Sequence, residues 1–183
     1  MNRRDLQTNL AMSILLIGMS MLFATLFMGY AIYRTSAPAW PPMGIQKVSL
    51  SLPLWSTLLI FLSSFFYYFS RKGIKLGDLK KARLYLNLTI LCGLGFMVTQ
   101  SLLWSHLKAT GLYVGSGLFA SILYAFTWIH AVHVVAGIFA LLYLRGVLKP
   151  TTANLEQKAL QVEKFWYFLE VVWIIMFVTL FVI

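Results

Sequence analysis

Five long apolar runs, separated by short loops that hold most of the charge, constrain this chain more than any other feature. They lie at about residues 9–33, 52–69, 84–106, 116–144 and 165–183. A helix needs about 20 apolar residues to cross a bilayer, and a barrel strand only about 10. Backbone N–H and C=O groups in lipid must pair internally, so runs of this length are predicted to be transmembrane helices. The expected fold class is all-α: a polytopic membrane helix bundle of about five spans, forming one membrane domain over residues 1–183. Pro53 fits the second helix because it falls in the first turn, where its missing N–H costs nothing. The first run follows Arg3 and Arg4 but is longer than the about 7–15 apolar residues of a signal peptide, so it is read as a span.

Composition agrees. Of 183 residues, 60% are hydrophobic and 11% are charged, against roughly 25% charged in a soluble domain. Five spans and their loops use up the chain and leave no room for an extramembrane catalytic domain. The net charge of +10 does not point to nucleic acid, because the cations sit in loops between apolar runs, where topology is encoded. Arg3, Arg4, Arg71, Lys72, Lys75, Lys80, Lys81, Arg83, Arg145, Lys149, Lys158 and Lys164 fall on one side. Only Arg34, Lys47 and Lys108 fall on the other. The positive-inside rule then predicts a cytoplasmic N-terminus and, with five spans, an outer C-terminus. The single Cys92 excludes a disulfide framework.

Polar residues within spans are costly and therefore informative. Glu170 is the only carboxylate in any span. A charged carboxylate near the bilayer centre costs about 2.5–3.5 kcal/mol on insertion scales, so Glu170 is expected to face protein, to stay protonated, or both. Tyr167 precedes it by three residues and shares its side of the helix. His130 and His133 lie within about 60° of each other on the fourth helix, in an arc that also holds Gly137. Two histidines one turn apart on one helix cannot ligate opposite faces of one haem iron, and no cysteine pair or carboxylate cluster joins them, so no metal site is expected. An interhelical cluster of Glu170, His130 and His133 is the specific expectation. Gln100 is a further candidate for hydrogen bonding between helices. Gly117, Ser121 and Ala125, spaced by four, are candidates for close helix packing. In the loop after the first helix, Trp40 suits the membrane interface, and Pro41 and Pro42 favour an extended connection.

The run Phe126-Thr127-Trp128-Ile129-His130-Ala131-Val132-His133-Val134-Val135-Ala136-Gly137 resembles the T-G-x-H-G-x-H-V-x-x-G signature of the cytochrome c oxidase subunit III family. Gly115-Ser116-Gly117-Leu118-Phe119 is similar to its G-S-x-F. The run Phe165-Trp166-Tyr167-Phe168-Leu169-Glu170-Val171-Val172-Trp173 resembles its Y-W-H-F-V-D-V-V-W, and Trp40-Pro41-Pro42 its W-P-P. Leu52-Pro53, Thr57 and Ser63-Ser64 resemble a further helix of the family. These matches come in order over nearly the whole chain. Trp128 and Ala131 replace family glycines, Tyr167 a histidine and Glu170 an aspartate. Met19 stands where the short, five-helix form of the family carries a glutamate.

The resemblance implies a non-catalytic subunit III of a haem-copper terminal oxidase in a bacterial inner membrane, with either cytochrome c or quinol as donor. It implies no catalytic residue and no redox cofactor in this chain, haems and copper in the partner subunit I, bound phospholipid, and support of sustained proton uptake. Three histidines are too few to supply the haem and copper ligands. Two alternatives stay open at this point: a subunit-III-like accessory protein of a nitric-oxide reductase, and a small transporter using Glu170 and the histidines. The absence of an evident internal repeat weighs against the second.

Overall fold

The computed structural model describes residues 3–37 and 50–182. These form five helices: α1 (Arg3–Ser36), α2 (Ser51–Lys75), α3 (Leu79–Ala109), α4 (Leu118–Val147) and α5 (Leu155–Phe177), the last continuing as a π-helical turn, Val178–Val182. All five are long and apolar enough to cross a membrane, and there is no strand among the described residues. The chain is a multi-pass, all-helical membrane protein.

Most of the helices extend past the apolar runs that announce them. Hydropathy marks the stretch inside lipid, whereas the backbone ladder continues into the interface, where Lys, Arg and Glu are good helix formers. The largest difference is at α5, which begins at Leu155 rather than near Phe165. Ala159 and Val162 are buried, so this charged segment packs one face against the bundle.

Two turns are set by glycine. Past the end of α2, Gly77 has φ +75°, and Asp78 N–H reaches back to Gly73 C=O at 2.9 Å. Past the end of α3, Gly111 has φ +84°, and Leu112 N–H reaches Leu107 C=O at 2.9 Å. Both are Schellman endings, which need a left-handed residue that only glycine supplies cheaply. Asp78 then caps α3 by accepting the Lys81 N–H at 3.1 Å, and this bond holds its carboxyl below the usual range.

The α2–α3 hairpin is the closest-packed pair. A Cβ on Gly73 would stand 2.9 Å from the backbone N of Ala82, so the two helices touch backbone to backbone. α5 lies against both α2 and α4, and α3 against α4. α1 stands at the edge and, among its described residues, buries only Met19, Phe23 and Tyr30. Hydroxyls on the outer faces bond to their own helices: Ser13 to Asn9 C=O, Ser20 to Leu16 C=O, Ser101 to Met97 C=O and Ser105 to Ser101 C=O. Such groups face hydrocarbon without an open hydrogen bond.

Candidate functional site

The polar interior of the bundle is organised by α2. Ser56, Ser63 and Ser70 recur every seven residues, two turns of helix, and so keep one face. That face meets α3. Ser56 Oγ lies 2.8 Å from Thr99 Oγ1 and accepts Gln100 Nε2–H at 2.9 Å. Ser63 donates to Thr89 C=O at 3.3 Å, and Ser70 to Ala82 C=O at 2.9 Å. One position further along, Thr57 and Ser64 turn toward α5. Thr57 accepts Trp173 Nε1–H at 3.0 Å, and Ser64 donates to Glu170 Oε2 at 2.5 Å. Tyr67 completes the seam by donating to Ala159 C=O at 2.8 Å. Small hydroxyl residues let helices approach closely and cross-link them where no water competes. Arg71 and Glu163 close the basic-loop end of the α2–α5 groove with a half-buried ion pair.

Trp166 of α5 fills the centre. Two glycines on two different helices make room for it. A Cβ on Gly93 of α3 would lie 3.0 Å from Trp166 Cη2, and one on Gly137 of α4 would lie 2.9 Å from Trp166 Cζ3 and Leu169 Cδ1. Its indole N–H donates to Ser63 Oγ at 3.0 Å. One side chain thus joins α2, α3, α4 and α5.

His130 is fully buried in an aromatic box. Its ring centroid lies 6.2 Å from Phe23 of α1, 5.9 Å from Phe96 of α3 and 5.5 Å from Trp173 of α5. Neither ring nitrogen has a hydrogen-bond partner among the described residues. His133 is half-buried, with Nδ1 2.7 Å from Ile129 C=O on its own helix and its ring 5.7 Å from Phe23.

The expected Glu170–His130–His133 cluster does not form. Glu170 turns to Ser64 on α2, while the histidines turn to rings of α1, α3 and α5. Trp173, one turn further along the same side of α5, occupies the place beside His130, while Glu170 is taken up by Ser64. Tyr167 stacks edge-on to Tyr67 at 6.4 Å, on the α2 side with Glu170. Gln100 meets Ser56, but its buried Oε1 has no partner among the described residues. Gly117, Ser121 and Ala125 divide. Gly117 is exposed at the start of α4 with φ +140°, and Ser121 bonds to Val114 C=O at 2.6 Å and to Gly117 C=O. This stretch shapes the mouth of α4 more than a helix interface, whereas Gly137 stands at a tight approach. Trp40, Pro41 and Pro42 lie outside the described residues.

Sequence reasoning passed over Ser56, Thr99, Gly93 and Phe96 as interior contacts. The seven-residue spacing of Ser56, Ser63 and Ser70 was a usable signal. Gly93 and Phe96 carried none, because only the helix rotations bring them to Trp166 and His130. The described residues hold no group of three His, Cys, Asp or Glu side chains placed to bind a metal ion.

The profile of the cytochrome c oxidase subunit III family matches residues 4–183. The chain is 29% identical over 173 residues to cytochrome c oxidase subunit 3 of Synechocystis sp., covering 92% of this chain and 72% of that protein. It is 30% identical over 180 residues to that of Thermostichus vulcanus, covering 95% and 86%. It is 31% identical over 168 residues to that of Corynebacterium diphtheriae, covering 89% and 82%.

Proposed function

The chain belongs to the cytochrome c oxidase subunit III family, and from that premise we propose that it serves as the non-catalytic subunit III of a haem-copper terminal oxidase. The observation that carries this reading is the family match along residues 4–183, in step with five spanning helices. The centre of the bundle is packed by Trp166, Trp173 and Phe96, all fully buried. The relatives are named as oxidase subunits, which favours this reading over a nitric-oxide reductase accessory protein or a small transporter.

In this reading haems and copper belong to the catalytic subunit I, and this chain contributes packing, bound phospholipid and support of proton uptake during sustained turnover. It lies in the bacterial inner membrane, with the N-terminus and the basic loops on the cytoplasmic side. His130, in its box of rings, and Gln100, on its serine, act as interior packing groups. Glu170 with Ser64 ties α5 to α2 and keeps a carboxyl off the lipid.

The test is purification through a tag on this chain in mild detergent, with mass spectrometry and optical spectra of what comes with it. Haem-copper oxidase subunits and oxygen consumption are the expected result. A nitric-oxide reductase partner, or a haem-free chain with no partner, would overturn the proposal.

A further inference from the structure

Beside the basic loops, α3 and α4 part to leave a cavity of about 290 Å³ lined by Arg83, Leu142, Arg145, Gly146 and Lys149. Three cations converge on it from the start of α3, the last turn of α4 and the loop that follows. None of the five lining residues is acidic. The ion pairs among the described residues lie elsewhere, at Arg71–Glu163 and Lys81–Asp78. Arg83 is exposed, and its Nη2–H donates to Leu148 C=O at 2.9 Å. A Cβ on Gly146 would meet nothing within 4 Å, so the mouth is open there. Three like charges around one space repel, and an anion within it offsets that repulsion. Basic pockets between spanning helices on the cytoplasmic side suit anionic lipid headgroups.

The same side of α4 carries an apolar path. Leu142, Phe139, Val135, Val132 and Trp128 are all exposed, at steps of three and four residues that keep one face. From Leu142 to Val132 is about 15 Å along the helix, half of the ~30 Å hydrocarbon layer. There α3 and α4 part again, at an apolar hollow of about 380 Å³ lined by Met97, Trp104, Trp128, Ala131, Val132 and Val135. A soluble phosphate would use only the first cavity, whereas one lipid of the cytoplasmic leaflet reaches both.

We propose that Arg83, Arg145 and Lys149 bind a phosphate group, and that it belongs to an anionic glycerophospholipid whose acyl chain runs along α4 to the hollow at Trp104 and Trp128. The inference gives the lipid of the proposed function a class and a place. It rests on that reading only for the orientation of the basic loops, and co-purification of an oxidase does not enter its test.

Trp104 and Trp128 provide the readout, taken as the part of the quenching that a Trp104→Phe/Trp128→Phe control loses, because the chain holds six tryptophans. The full chain is reconstituted in phosphatidylcholine bilayers containing either brominated phosphatidylglycerol or brominated phosphatidylcholine at equal mole fraction, and tryptophan quenching is compared. Quenching by the anionic lipid should be favoured, and the Arg83→Gln/Arg145→Gln/Lys149→Gln variant should lose that preference by at least about fivefold, the effect of removing one cation at a membrane surface. The Arg83→Lys/Arg145→Lys variant should keep it, which separates charge from misfolding. Lys72→Gln/Lys75→Gln, at the end of α2, should keep it as well. Equal quenching by both lipids, or an equal loss in the α2 variant, would overturn the site in favour of general surface charge. Loss of the preference in millimolar inorganic phosphate would overturn the lipid as its source.

Discussion

α1 and the α2–α3 hairpin are both long apolar helices, yet they are held in opposite ways. The hairpin is stitched along its length. Ser56, Ser63 and Ser70 face α3, Gly73 touches the backbone of Ala82, and Thr57 and Ser64 reach α5. α1 spans 34 residues and buries only three of those described. Its polar ties to other helices include Asn9, which accepts Gln161 Nε2–H at 2.6 Å, and Tyr30, which donates to Thr179 C=O at 2.8 Å. Between them it rests on rings, with Phe27 4.9 Å from Phe126 and Phe23 beside both histidines. The difference teaches that hydropathy alone does not distinguish a core helix from an edge helix in a membrane. Lipid is as apolar as leucine, so association depends on small residues, shape and hydrogen bonds. α2 is rich in those means, and α1 uses few.

The largest expected effect comes from removing the side chain that joins four helices. Trp166→Ala should cost about 3–5 kcal/mol, the usual penalty for deleting a buried aromatic, read as a large drop in the midpoint of thermal unfolding in detergent. Hydrogen exchange sharpens the contrast. Trp166→Ala should release protection in α2 through α5 together, whereas Phe23→Ala should release α1 alone. If Phe23→Ala unfolds the hairpin too, the division between core and edge is wrong.

Gly137→Leu comes next. Overpacking of this kind costs about 1–3 kcal/mol, because even the first added carbon would stand 2.9 Å from Trp166 and Leu169. The same change at Gly29 of α1, where a Cβ meets nothing within 4 Å, should leave the midpoint unmoved. Smaller still is Tyr30→Phe, which removes the bond from α1 to Thr179 C=O, a kind worth on average about 0.6 kcal/mol between spanning helices. Faster exchange near Thr179 with an unchanged hairpin would be the signature. The smallest effect concerns pH. The Asp78 carboxyl is held low by the Lys81 N–H, so its capping contribution is fully present above the ordinary value of 3.8 and is lost as the pH falls through the lowered value. Protection at the start of α3 should weaken only in that acid range, and Asp78→Ala should abolish the dependence.

Much of the architecture was legible in the sequence. Five spans followed from the lengths of the apolar runs, whereas the glycine endings at 77 and 111 lie beyond those runs and went unread. The helical segment before Phe165 was missed, because a charged stretch outside lipid leaves no mark on hydropathy even when Ala159 and Val162 pack inward. The interior was only partly legible. Glu170 and the histidines stand out as polar residues in apolar runs, but their partners depend on how α2, α4 and α5 are rotated against each other. Glu170 and Trp173 both meet hydroxyls of α2, Ser64 and Thr57, and Trp173 takes the place beside His130.

The central claim is that this chain holds no redox centre and works by packing within an oxidase. Reduced-minus-oxidised spectra of the complex, purified with and without this chain and normalised to the catalytic subunit, test it most directly. Identical haem content in both preparations, with oxygen consumption that starts equal and decays faster without the chain, is the result expected. Haem lost in proportion to the chain, at an unchanged amount of catalytic subunit, would contradict the account.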